Sequence, residues 1–154
     1  MVIASKIVIE TLNDLIKINN DRIAGYKKAA DESKGVDIDL QSIFIKLADE
    51  STRHVKELTK EVKKLGGDPT NSSTSLGKIY RLWMEVKATF SGKDRHAILE
   101  SFEHEEDATQ KSYAKALASD GLNEETRHLI EQQQAAMKIG HNLIKRYKDI
   151  NKAS

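Results

Sequence analysis

The 154-residue chain contains no cysteine, which excludes disulfide bonds, thiolate catalysis and cysteine-ligated zinc or iron–sulfur centres. It has one proline and eight glycines, and this scarcity suits long helices and argues against a β-rich fold. No apolar run approaches the roughly 20 residues that cross a membrane. Neither a glycine-rich phosphate loop nor a serine-nucleophile motif is present. The length predicts one domain spanning residues 1–154.

The chain also lacks an excess of either charge. Its 25 lysines and arginines balance 24 acidic residues, which leaves a formal net charge of +1. Nucleic-acid-binding proteins usually carry a basic excess or a dense basic patch, so we expect no nucleic-acid partner. The first residues lack the basic start and long apolar stretch of a signal peptide. We therefore expect a cytoplasmic protein without a membrane partner.

What the sequence does contain is a set of four apolar stripes with steps of three and four residues, the spacing of one helix face. Polar residues interrupt each stripe near its middle. The stripes are Val8, Leu12, Leu15, Asn19, Ile23, Tyr26, Ala30; Leu40, Phe44, Leu47, Ser51, His54, Leu58, Val62, Leu65; Leu99, Phe102, Glu106, Thr109, Tyr113, Leu117; and Ile130, Gln134, Met137, His141, Ile144. Such helices must bury one another, so the pattern predicts an all-α four-helix bundle.

Turn residues between the stripes predict where the helices begin and end. We expect long helices at about 5–33, 38–65, 94–118 and 123–149, and a short fifth helix at 76–90 that carries Trp83. Short turns make the first two long helices, and the last two, antiparallel hairpins. The connection between the hairpins exceeds twenty residues. It predicts one long crossover and parallel second and third long helices, the connectivity of a ferritin-like bundle.

The polar residues of the stripes predict a belt near the middle of the bundle. If the two helices of each hairpin are folded onto each other at their turn, His54 lies opposite about Asn19 and His141 opposite about Glu100. Carboxylates and imidazoles from several helices can hold iron, manganese or zinc. The candidate metal ligands are Glu50, His54, Glu103, Glu106 and His141.

The belt departs from a di-iron site in its residue types. No Glu-x-x-His occurs on the second or fourth long helix, and Asn19 and Gln134 stand where ligand carboxylates are expected. One alternative is a reduced or mononuclear metal site. The other, which the sequence favours, is a hydrogen-bonded polar layer that sets helix register. In each case we expect His54 and Glu106 to point into the bundle. If the layer is only structural, replacing Glu106 by leucine should preserve the fold.

Several motifs occur in a distinctive order. They are Leu12-Asn13-Asp14-Leu15-Ile16 with Asp21 and Gly25-Tyr26, Leu65-Gly66-Gly67-Asp68-Pro69, Trp83, His96-Ala97-Ile98-Leu99-Glu100, Glu103-x-x-Glu106-Asp107, Tyr113, Gln133 and His141. This order resembles that of small bacterial ferritin-like four-helix-bundle proteins that are classed as a domain of unknown function. The resemblance covers about residues 10–148. It implies a ferritin-like bundle and no established activity.

Two function classes follow from these observations. One is a non-enzymatic structural or binding protein, stress-related and forming a homodimer or higher homo-oligomer. The other is a metal-binding protein with weak oxidase or storage activity. The sequence assigns no catalytic residue and no cofactor besides the hypothesised iron, manganese or zinc.

Overall fold

The computed structural model describes residues 2–35, 38–73 and 95–153, and within them all regular structure is α-helical. The helices are α1 (Val2–Ser33), α2 (Ile38–Lys64), α3 (Arg95–Leu117) and α4 (Glu124–Ala153). The prediction of an all-helical bundle is confirmed, and α1 and α4 extend past their predicted bounds. The fifth helix at 76–90, its Trp83 and most of the predicted crossover lie outside the described residues.

Local sequence signals end α2 and begin α4. Gly66 adopts a positive φ of 84°. Its N–H donates to the Lys63 carbonyl at 3.0 Å, and the Gly67 N–H donates to the Val62 carbonyl at 2.9 Å. These two bonds satisfy carbonyls that the helix end would otherwise leave open. At the start of α4, the Asn123 Oδ1 accepts a 2.7 Å hydrogen bond from the Thr126 N–H.

The four helices pack as two hairpins whose directions follow from side-chain contacts. Helix α1 packs along α2 and α3 packs along α4, and the hairpins meet through α1 with α3 and α2 with α4. Along α1, Asn19 contacts Tyr113 whereas Arg22 contacts Glu106, so α1 and α3 are antiparallel. Helices α2 and α4 are antiparallel for the same reason, because Glu57 contacts Gln133 and Glu61 contacts Thr126. Consequently α2 and α3 run in the same direction.

The core consists of two apolar clusters at different heights in the bundle. One cluster, next to the turn between α1 and α2, contains Tyr26, Ala29, Ala30, Leu40, Ile43, Phe44, Leu47, Ala48, Ile98, Leu99, Phe102 and Ile144. The other, toward the opposite end, contains Val8, Leu12, Leu15, Ile16, Leu58, Val62, Tyr113, Ala116, Ile130 and Met137. Between the clusters lie six buried polar or charged residues: Asn19, Arg22, Glu50, Ser51, His54 and Glu106. We call these six residues the polar layer.

Gly140 brings α4 close to α2 beside the polar layer. A Cβ atom built at Gly140 would lie 2.7 Å from Leu47 Cδ2 and 4.0 Å from Glu50 Oε1. Glycine therefore lets the α4 backbone cover this part of the layer. Among the described helices, none is both long and apolar enough to cross a membrane.

Candidate functional site

Arg22 lies at the centre of the polar layer and contacts residues of α2 and α3. Its Nε and Nη2 atoms donate to Glu106 Oε1 at 3.0 and 2.9 Å, and its Nη1 donates to Ser51 Oγ at 2.5 Å. The same Nη1 lies 3.5 Å from Glu50 Oε1. Arg22 is 7% exposed and Glu106 is 1% exposed, so this ion pair is removed from solvent. One buried guanidinium therefore joins three helices.

Tyr26 adds a further hydrogen bond and connects the polar layer to the aromatic core. Its hydroxyl donates to Glu106 Oε1, the oxygen that also accepts from Arg22. The Tyr26 ring stacks on Phe102 at a centroid distance of 4.9 Å, and Phe102 contacts Phe44 at 5.0 Å. The Arg22 guanidinium carbon lies 5.5 Å from the centre of the Tyr26 ring. These contacts restrict the side-chain positions of both Tyr26 and Arg22.

The groups of the layer shift one another's pKa values around Arg22. Burial opposes the charged form of Arg22, but the Glu106 carboxylate, Tyr26 and Glu50 outweigh it and raise the pKa of Arg22. Burial raises the pKa of Glu50 against the opposing effect of Arg22, and Glu106 raises it further. Burial also raises the pKa of Tyr26 well above 10.0, which keeps its hydroxyl protonated as a donor. Because it is buried and faces the carboxylate of Glu106, the Glu50 carboxyl group retains its proton to a higher pH than an exposed glutamate does.

His54 is a neutral imidazole within the same layer. Burial lowers its pKa from 6.5 to about 4, and the positive charges of Arg22 and Arg53 lower it further in the same direction. The side chain is 5% exposed and its Nδ1 atom has no hydrogen-bond partner. Protonation of His54 would therefore place an unpaired charge beside Arg22.

A second hydrogen-bonded chain lies next to the Arg22 contacts and reaches all four helices. Asn19 Nδ2 donates to the Tyr113 hydroxyl at 2.9 Å, and that hydroxyl donates to Gln133 Oε1 at 2.7 Å. Gln133 Nε2 donates to the His54 carbonyl at 3.3 Å and to Glu57 Oε1 at 3.1 Å. Helices α1, α3, α4 and α2 are thus joined in sequence by neutral polar groups. The arrangement sets helix register, as a structural polar layer requires.

The structure places three of the five predicted metal ligands in the polar layer, where Arg22 contacts both carboxylates. As expected, His54 and Glu106 are buried. The Arg22 guanidinium lies against the carboxyl groups of Glu50 and Glu106, and a metal site at Glu50, His54 and Glu106 stays a prediction. The expectation that leucine can replace Glu106 is revised, since this change would leave the buried Arg22 charge without its closest partner.

The other two predicted ligands, Glu103 and His141, lie apart from the layer, on the α3–α4 hairpin. Asp107 joins them there, with its Oδ1 2.6 Å from His141 Nε2. Among the described residues, this trio is the one group of three or more chelating side chains whose ligand atoms all lie within 4.8 Å of one another. The sequence placed His141 opposite about Glu100, whereas in the structure it lies beside Glu103 and Asp107, three and seven residues further along α3.

Near the polar layer, the sequence stripes missed two core-facing residues, each by one position in the chain. Arg22 faces the core where the sequence stripe had Ile23, and Gln133 faces it where the stripe had Gln134. The missed signal for Arg22 is its spacing, three residues after Asn19 and four before Tyr26. The sequence signal for Asp107 is its spacing of four residues from Glu103, although Asp107 lies off the apolar stripe and is exposed.

The fold and the site together define an all-helical bundle protein with a buried ion-pair layer. The sequence model of the family described as Domain of unknown function (DUF2383) matches residues 7–119, more than half of the chain. The chain belongs to this family, which confirms the predicted membership of a family of unknown function. The match covers α1, α2 and α3 and ends before α4. A comparison with curated proteins gives no match.

The lowered pKa of His54 predicts a pH dependence of stability. Between pH 6.5 and about 4 the unfolded chain binds more protons at His54 than the folded chain does, so the free energy of unfolding falls as pH drops through this window. The contribution is complete above pH 6.5 and amounts to about 3 kcal/mol at most. His54→Gln should remove this dependence, measured by urea unfolding at a series of pH values.

Comparing the wild type with His54→Gln separates the pH dependence of stability that is due to His54 from that due to Glu50. The raised pKa of Glu50 contributes with the opposite sign, since its stabilisation is lost as pH rises through its folded-state pKa. His128→Gln, which removes an exposed imidazole of α4, is the matched control and should retain the wild-type dependence. Parallel curves for wild type and His54→Gln would contradict the assignment.

Proposed function

We propose that this chain is a non-catalytic structural or binding protein built on a ferritin-like bundle, in which a buried guanidinium holds the place of a metal centre. The observation that carries the proposal is the simultaneous contact of Arg22 with Glu106 at 2.9 Å and with Glu50 at 3.5 Å. A metal ion bound there would have to displace Arg22 or lie beside its positive charge. Both alternatives are unfavourable in a buried layer.

The residue types around Arg22 also favour a structural role. The bond chain from Asn19 through Tyr113 to Gln133 uses neutral donors and acceptors. Tyr26, whose raised pKa keeps it protonated, is committed to Glu106. In the described part of the layer, each of these groups serves to join helices. None is left as a nucleophile or base that faces an open pocket.

The bundle connectivity is part of the proposal. The parallel directions of α2 and α3 support a ferritin-like arrangement, because a short loop cannot join parallel helices. The proposal further includes a bacterial, cytoplasmic, stress-related role, for which the sequence resemblance is the support.

Metal binding with weak oxidase or storage activity is the second candidate function. Its predicted core ligands favour it less, since Glu50 and Glu106 contact Arg22 and an ion bound at His54 would lie beside the same cation. Of the predicted ligands, Glu103 and His141 retain an arrangement that favours metal binding.

A bundle held by Arg22 requires no metal to fold. The purified chain, treated with excess EDTA and then dialysed, should keep its helical circular dichroism and unfold in one cooperative thermal transition. Elemental analysis of the same sample establishes that it is metal-free. Loss of helicity in the metal-free sample, restored by iron, manganese or zinc, would contradict the proposal.

We propose that the chain binds further copies of itself and forms a homo-oligomer. The balanced charge of +1 gives little electrostatic barrier to contact between copies. Light scattering coupled to gel filtration should therefore report a dimer or larger homo-oligomer. A monomer mass of about 17 kDa at all accessible concentrations would contradict this part of the proposal.

A further inference from the structure

Three chelating side chains converge on the outer part of the α3–α4 hairpin, away from Arg22. Glu103 and Asp107 are four residues apart and lie on one face of α3, and His141 reaches them from α4. Their ligand atoms all lie within 4.8 Å of one another. His141 and Glu103 are partly buried, whereas Asp107 is exposed. The group is therefore anchored on one side and open to solvent on the other.

The contact between His141 and Asp107 shows how closely two of the ligand atoms approach each other. The Nε2 atom of His141 is shielded from solvent and lies 2.6 Å from Asp107 Oδ1, as an ion pair. Two atoms that bind the same ion at roughly 2 Å each are about 3 Å apart, close to the separation seen here. An ion bound between the imidazole and the carboxylate would therefore replace this ion pair with little movement of either side chain.

We propose that Glu103, Asp107 and His141 form a binding site for a divalent first-row transition ion. One imidazole and two carboxylates suit zinc, iron(II) or manganese(II), and three protein ligands leave further coordination positions for water. Zinc should bind more tightly than manganese, because affinity for such ligands rises along the metal series. The site does not depend on the proposed role of Arg22, because it shares no residue with the polar layer.

Lys148 competes with the ion for Glu103. Its Nζ lies 2.5 Å from Glu103 Oε2, and the hydrogen bond to that carboxylate raises the pKa of Lys148. In the metal-free chain the ammonium group therefore neutralises Glu103, and metal binding requires that it move away. Removal of this charge should strengthen metal binding.

Calorimetric titration of the metal-free full chain with Zn²⁺ tests the proposal. We expect one ion per chain and a Kd at least about tenfold weaker in Asp107→Asn and His141→Gln. Lys148→Met should bind Zn²⁺ about two- to fivefold more tightly, the range expected for loss of one weak ion pair. Circular dichroism of each variant checks that the bundle is intact.

A matched control comes from the same helix. His96 and Glu100 form an i, i+4 pair on α3, with 3.8 Å between His96 Nε2 and Glu100 Oε2, and no third chelating side chain among the described residues joins them. His96→Gln should therefore leave the Zn²⁺ affinity unchanged. Manganese(II) added to the wild type should broaden the imidazole NMR signal of His141 before the signals of the other four histidines.

Three results would overturn the proposal. The first is no binding at millimolar Zn²⁺. The second is equal affinity in the wild type, Asp107→Asn and His141→Gln. The third is a loss of affinity in His96→Gln as large as that in His141→Gln, which would place binding on surface histidines. None of these results changes the expected metal-free folding of the bundle, so failure here is distinguishable from failure of the Arg22 proposal.

Discussion

The buried pair between Arg22 and Glu106 is the interaction on which the arrangement of this bundle depends. A guanidinium that is 7% exposed is tolerated only where several acceptors surround it, and Glu106, Ser51 and Glu50 supply them. Because these acceptors come from α2 and α3, the pair determines how the two hairpins meet. It also separates the core into two apolar clusters, each of which packs on one side of a charged layer.

The same pair determines the chemistry that the core can perform. Arg22 pairs with the Glu106 carboxylate, and the neighbouring imidazole of His54 stays neutral, its pKa lowered to about 4 by burial and by the positive charges of Arg22 and Arg53. Glu103, Asp107 and His141, the residues of the proposed ion site, converge instead on the α3–α4 hairpin, apart from the polar layer.

Much of the fold could be predicted from the sequence, because helix periodicity and end signals are local. Gly66 ends α2 and Asn123 begins α4 through hydrogen bonds to residues three positions away in the chain. Such local signals can be recognised from the residue types alone. The candidate site was harder to predict from the sequence, because it depends on the register between helices. Arg22 was passed over in favour of the apolar Ile23, since an arginine is normally expected at the surface. The partner of His141 proved to be Asp107 because side-chain contacts, and not loop symmetry, determine the register of α3 against α4.

A double-mutant cycle between Arg22 and Glu106 tests the central claim most directly. Arg22→Met and Glu106→Gln should each lower the free energy of unfolding by about 3–5 kcal/mol, because each leaves a buried group without its partner. The double variant should lose about 2–3 kcal/mol less than the sum of the single losses, as for residues in direct contact. Urea unfolding measures all four proteins. Additive losses within about 0.5 kcal/mol would contradict the account, since they would show that the two side chains are not energetically coupled.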